Sequence, residues 1–216
     1  MIAETLKSRT FRLKVWGENA CFTRPEMKVE RVSYDVMTPS AARGILEAIL
    51  WKPAIRWQVT RIHVLNPIRW ASVRRNEVGA VMSPRTSGLF VEDQRQQRAA
   101  LFLREVAYVI HAFFEMTTQA GAGDNVKKFE EIFMRRAEKG QCFHRPYLGC
   151  REFAAHFEPM AAEMEEPQPI GETRDLGFML YDMDHSGAEP MPMWFRAKLQ
   201  NGRVHVPPVD SAEVRR

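Results

Sequence analysis

"TPSAARGILEAILWKPAIRWQVTRIHV", residues 38–64, carries the chain from one helix into one strand, and the fold class turns on it. Thr38 is placed to accept from the free amides of a first helical turn, and Pro39 suits the first helical position, where its missing N–H would be unpaired anyway. Ala42, Ile45, Leu46 and Ile49 recur at i, i+3, i+4 and i+7, which is one buried stripe, and Pro53 stops the helix. Past that proline, "AIRWQVTRIHVLNPIRW" (54–70) is rich in Ile, Val and Trp and reads as a returning strand.

Upstream, "TFRLKVW" (10–16) alternates Phe11, Leu13 and Val15 with Arg12 and Lys14, a half-buried strand, and a long loop containing Pro25 comes after it. Downstream, 76–97 reads as a loop or weak hairpin around Gly79, Pro84 and Gly88. "RAALFLREVAYVIHAFFEM" (98–116) holds a strand pair's worth of β-formers, its first half also compatible with a helix, and "AGAGDN" (120–125) breaks the pattern. A second helix is expected from Val126 to Lys139, with Val126, Phe129, Ile132 and Phe133 as its stripe and Gly140 as its stop. Next come a strand at "CREFAAHFEP", an acidic linker at 159–175, and strands around "LGFMLYDMD" and "MWFRAKLQNGRVHVPP", the last turning at Asn201-Gly202. Strand, helix, strand, then strand, helix, strand is the split βαβ order of a ferredoxin-like domain, shared by RNA-recognition modules. The expected class is α+β, with residues 1–157 forming the ferredoxin-like domain with an inserted loop or hairpin and 158–216 a smaller β-rich part.

Charge is segregated. Residues 1–75 carry fourteen Lys/Arg against six Asp/Glu, and 127–151 seven against three, whereas 158–189 hold nine acids and only Arg174. Clustered cations beside a separate acidic stretch suit a phosphate-binding surface, although a mixed solvated surface gives the same counts. The longest apolar run, Val106 to Phe114, is too short for a membrane span, and the first residues lack the apolar core of a secretory signal. Three cysteines, never spaced C-x-x-C, read as reduced thiols of a cytoplasmic protein.

The densest chemistry lies in "GQCFHRPYLGCREF" (140–153), which holds a histidine, arginines, aromatics and two cysteines. Cys142, His144 and Cys150 lack a fourth ligand at suitable spacing, so no metal and no cofactor is expected there. The motif reads instead as a turn and strand presenting His144, Arg145 and Tyr147.

Two stretches, "FTRPEMKVERVSYDVMTPSAARGILEAILWKPAIRW" (22–57) and "NVKKFEEIFMRRAEKGQCFHRPYLGCREF" (125–153), closely resemble the CRISPR-associated RAMP protein of subtype I-C Cascade, the fifth numbered Cas family in its "d" form. The resemblance runs from about residue 10 to about 208. It implies a RAMP fold, with a ferredoxin-like N-terminal domain and a smaller β-rich C-terminal part. It also implies an endoribonuclease that cuts CRISPR repeat RNA without a metal, keeps the 5′ handle and joins the Cascade subunits in antiviral defence. The family's cleavage centre pairs a Tyr before WKP with a Lys-His at the start of the later helix. Here the Lys is Lys128, but the Tyr position is Leu50 and the His position is Phe129.

Cleavage of this kind uses the ribose 2′-OH against the adjacent phosphate, giving a 2′,3′-cyclic phosphate. It needs a base, an acid and a cation on the phosphorane. Lys128 supplies a cation, and His144 and Tyr147 are the candidate proton-transfer groups. For both, a structural hydrogen-bonding role is the plain alternative. Arg24, Lys28, Arg31, Arg43, Lys127, Arg135, Arg136 and Arg145 are candidate phosphate contacts, and Trp16, Phe22, Phe143 and Tyr147 offer faces for base stacking. Three readings stay open: a repeat-cutting enzyme, a non-catalytic RNA-binding Cascade subunit, and a general nucleic-acid binder that also holds duplex DNA.

Overall fold

The computed structural model describes residues 6–85 and 87–216. Residues 1–5, part of the segment read for a secretory signal, lie outside the described residues. Helix α1 (Pro39–Ile49) starts as its sequence dictates: the Thr38 hydroxyl accepts from the Ala41 amide at 3.2 Å, and Pro39 fills the first turn. Ala42, Ile45, Leu46 and Ile49 are buried. They face a sheet in which strand β1 (Phe11–Ala20) sends Phe11, Leu13 and Val15 inward. Helix α2 (Val126–Glu138) is capped by Asn125, whose side chain accepts from the Lys128 amide at 2.9 Å, and buries Phe129, Phe133 and Ala137. Phe11, Trp57, Phe114 and Phe133 form the aromatic centre of the core, with ring centroids 4.8 to 6.1 Å apart where they meet.

The other strands are β2 (Ile55–Val64), β3 (Arg69–Val78), β4 (Arg95–Met116), β5 (His156–Met160), β6 (Arg174–Asp184), β7 (Met191–Gln200) and β8 (Arg203–His205). Along the sheet they run β5-β1-β4-β2-β8-β7-β6, all antiparallel, with β3 on β4. The first four in that order give the ferredoxin-like arrangement, both helices lying on one face. Strands β8, β7 and β6 continue the same sheet beyond β2. The fold is α+β, as the element order requires.

Two expectations need correction. The stretch 54–70 is not one strand: Pro67, with no amide to give a ladder, separates β2 from β3. The stretch 98–116 is neither a strand pair nor part helix but one long strand. Its first half pairs with β3 as a projecting arm, and its second half lies between β1 and β2. The change of partners falls at Glu105, whose φ of 51° twists the strand at the joint. The strand expected at 150–159 is short, since β5 begins only at His156. The hairpin at Asn201-Gly202 is present, with φ of 48° and 71° as a tight primed turn demands.

Candidate nucleic-acid interface

The last carbonyls of a helix need partners from outside it. At the end of α1 they come from three separate elements. The Phe143 amide donates to Ala48 O at 2.8 Å, the Arg136 guanidinium to Ile49 O at 2.9 Å, and the Trp57 indole to Leu50 O at 2.9 Å. The 140–153 motif is thereby hung from α1 at one end. At the other, the Cys21 amide donates to Leu148 O at 3.0 Å, and Gly149 (φ 85°) lies so close to Cys21 that a Cβ would stand 2.1 Å from its carbonyl oxygen. Only glycine fits there.

This suspension leaves a cleft of about 650 Å³ lined by Gly44, Glu47, Trp51, Lys52, Pro53, Arg136, Phe143, His144 and Tyr147. Phe143 is 92% and Trp51 60% exposed, large aromatic faces turned to solvent beside two cations. His144 and Tyr147 stand together, ring centroids 6.3 Å apart. They also line a second pocket, of about 270 Å³, over the first turn of α1 with Thr38, Ser40 and Ala41. The pair is thus a partition. On one side is an aromatic, basic cleft; on the other is the positive end of a helix dipole, which favours an anion.

Sequence-predicted residues divide clearly. His144, Tyr147 and Arg136 meet in the cleft, and Arg145 is exposed beside them. Lys128 does not join them. It sits eight residues before Arg136 on α2, about 12 Å along the axis, with its ammonium 2.9 Å from Asp124 Oδ1. Lys127, Arg135 and Lys28 are exposed and make no ion pair among the described residues. Three arginines are engaged within the fold. Arg43 holds Asp182 in a two-pronged contact (2.6 and 2.8 Å) and Glu47 at 2.6 Å. Burial works against its charge, but Asp182 and then Glu47 outweigh burial and push its pKa up. Arg24 lies over the Tyr34 ring and 3.3 Å from Asp35, and Arg31 pairs with Glu77 and Glu152. Among the proposed stacking faces, Phe22 is buried against Tyr108. Trp16 stacks on His156 on the opposite side of the sheet from the helices. Leu50 and Phe129 are 0% and 2% exposed, core residues.

Sequence reasoning missed Trp51 and Lys52. An exposed tryptophan next to a lysine at a helix end was the available signal, but the pattern treats both only as the stop before Pro53. The cysteines form no metal set: Cys142 is exposed, while Cys150 lies against Cys21 and Thr23.

An antiparallel α+β sheet with both helices on one face, and an aromatic, basic cleft where those helices end, define a protein with the RAMP-type fold. A family model described as CRISPR-associated protein (Cas_Cas5), in its Cas5d form, matches residues 10–207. A Mannheimia succiniciproducens protein named CRISPR pre-crRNA endoribonuclease Cas5d is 52% identical over 95% of this chain and 98% of its own. A Thermus thermophilus protein of the same name is 45% identical over 91% and 90%. Among solved structures, a CRISPR-associated protein superposes with a TM-score of 0.75 at 24% identity, over 99% of this chain and 100% of its own. A functionally uncharacterized Streptococcus mutans protein gives 0.74 at 23% identity, with the same coverage. The chain belongs to the Cas5d family.

Proposed function

We propose that this chain is a CRISPR pre-crRNA endoribonuclease. It cuts repeat RNA without a metal, retains the 5′ handle and remains with the other subtype I-C Cascade subunits in antiviral defence. The names of the two curated relatives, matched along nearly their whole length, support the activity. The reduced thiols suit a cytoplasmic site of action, and no helix among the described residues is long and apolar enough to cross a membrane.

The observation that carries the local mechanism is the His144–Tyr147 partition. A scissile phosphate seated in the cleft against the His144–Tyr147 pair meets Lys52 and Arg136, while the flanking base stacks on Trp51 or Phe143 and the next phosphate of the strand lies over the first turn of α1, at the Ser40 hydroxyl. His144 takes the proton of the 2′-OH, a ring nitrogen serving as general base. Tyr147 gives a proton to the leaving 5′ oxygen, and Lys52, with Arg136 behind it, bears on the phosphorane charge. Lys128 meets a phosphate farther along the strand, with Lys127, Arg135 and Arg145 as exposed contacts. Arg24, Lys28, Arg31 and Arg43 line the approach or hold it in shape.

The second reading, a non-catalytic RNA-binding subunit that also holds duplex DNA, is favoured by one observation: two positions of the family's cleavage centre are apolar and buried. One experiment separates the readings. Purified protein is incubated with its own repeat RNA in EDTA, and the products are resolved on a denaturing gel. The enzyme reading expects one cut with a 2′,3′-cyclic phosphate, lost in His144→Gln with RNA affinity kept. Intact RNA, tightly bound, leaves the binding reading.

A further inference from the structure

The sheet face turned away from the helices carries a second cluster, unconnected with the cleft. His63 on β2 and His111 on β4 are 5% and 4% exposed, with ring centroids 4.3 Å apart. Side chains alternate along a strand. Because Ile62, Val64, Ile110 and Ala112 all belong to the core, these two imidazoles point to the opposite side. Over them lies the acidic connection between β5 and β6. Its Glu166 places Oε2 3.0 Å from His63 Nδ1 and 3.3 Å from His111 Nε2. Neither contact has the geometry of a hydrogen bond. Both of those nitrogens, and His63 Nε2 as well, are buried without a hydrogen-bond partner among the described residues.

We propose that His63, His111 and Glu166 form a zinc-class divalent cation site that fastens the 161–173 connection onto the open face of the sheet. Their ligand atoms all lie within 4.8 Å of one another. A tetrahedral ion with bonds near 2.0–2.1 Å sets its ligands about 3.3 Å apart, which matches the two nitrogen–oxygen distances. Two ligands around a common centre approach each other without pointing at each other, and this is the observed geometry. Two imidazoles and one carboxylate make a nitrogen-rich borderline set, suited to Zn²⁺ or Co²⁺ rather than to Mg²⁺ or Ca²⁺. The other carboxylate oxygen, Oε1, accepts from Arg12 at 3.2 Å, while the same guanidinium reaches the Ala161 and Ala162 carbonyls. Arg12 therefore orients the carboxylate from behind, as partners of metal ligands commonly do. The fourth position falls to water. Because the site and the RNA cleft lie on opposite faces, the ion takes no part in cleavage.

The test is a titration of chelator-stripped full-length protein with Co²⁺, followed by its visible absorption, and with Zn²⁺ against a chromophoric chelator. One equivalent should bind, with the intense bands of tetrahedral Co²⁺, and Zn²⁺ should displace it. His63→Gln and His111→Gln should each weaken binding by roughly 100-fold or more, while His144→Gln leaves it unchanged. Circular dichroism and RNA affinity report whether the variants fold. Should either variant fail to fold, the wild-type Co²⁺ spectrum decides, together with metal-dependent protection of 161–173 from hydrogen exchange. Absence of stoichiometric binding, six-coordinate Co²⁺ spectra, or full binding in both folded His variants overturns the site.

Discussion

Placing Tyr at position 50 and His at 129, the residues that the family resemblance implies for a cleavage centre, should harm this protein without making it a better nuclease. Phe129 is 2% exposed, with its ring against Phe114 at 6.4 Å and the Lys128 ammonium 5.6 Å above it. Full burial of a phenyl side chain stabilises by about 1.5–3 kcal/mol, and an imidazole keeps roughly half of that. A buried ring N–H with no acceptor adds a loss of about 1–3 kcal/mol. Phe129→His should therefore destabilise by about 2–4 kcal/mol, a fall in Tm of about 10 °C for a chain of this size. Leu50 is fully enclosed, so Leu50→Tyr must displace packed neighbours, at about 1–3 kcal/mol. Urea unfolding followed by tryptophan emission reads both changes, since Trp57 lies in this core, 5.3 Å from Phe114. Single-turnover cleavage in EDTA, measured below the new midpoints, should show no gain from either substitution or from both. A Phe129→His protein as stable as its parent and faster at cutting would move the reaction to the start of α2 and refute the assignment to His144 and Tyr147.

Lys52→Ala should slow cleavage by roughly 10²- to 10³-fold, as loss of one transition-state donor does. Lys128→Ala, whose ammonium is already held by Asp124, should slow it far less; equal single-turnover losses would contradict the placement of Lys52. Arg135→Ala and Arg145→Ala should each make the plot of log affinity against log salt shallower by about one. Arg43→Ala should leave that slope unchanged and instead lower the urea midpoint, because it strands Asp182 and Glu47. Hydrogen bonding from Cys21 pulls the Cys150 thiol down to about 6 against the effect of burial, with Thr23 and Arg31 adding to it. The thiolate is the reactive form, so iodoacetamide labelling of Cys150, followed by peptide mass spectrometry, should rise with pH through about 6 and level off above it. A midpoint near that of an ordinary thiol would contradict the geometry.

The legible parts of the sequence were those fixed by local chemistry. Thr38-Pro39 and the four-residue stripe define α1 without help from the rest of the chain, and the stripe of α2 and its stop at Gly140 are read in the same way, whereas its Asn125 cap came from the structure. Asn201-Gly202 turns the last hairpin because a primed turn needs both residues at positive φ. What stayed hidden was set by partners far along the chain. Strand β4 shows no periodic change at Glu105, yet along one edge its partner changes there from β3 to β2, while β1 continues past it on the other edge. Arg24, Arg31 and Arg43 look like free cations in a basic segment, because Asp35, Glu152 and Asp182 come to them only through the fold. His63, His111 and Glu166 share no motif at all, and only strand pairing and the returning linker bring them together.

The placement of the cleft follows from a requirement of helix α1, not from the RNA. Its last carbonyls had to be met, and the partners available were the Arg136 side chain, the Phe143 amide and the Trp57 indole. Meeting them draws α2, the 140–153 motif and β2 to a single point. Trp51 and Lys52, next in the chain, have no remaining space inside and are expelled to the surface. The Phe143 backbone is pinned while its ring stays exposed, and the next turn of the motif carries His144 and Tyr147 over α1. The same hydrogen bonds that end the helix therefore build an exposed aromatic wall and hold His144 and Tyr147, the proton-transfer groups of the proposed mechanism, against it. The proposed cleavage centre makes no use of positions 50 and 129, and Leu50 and Phe129 serve the core there.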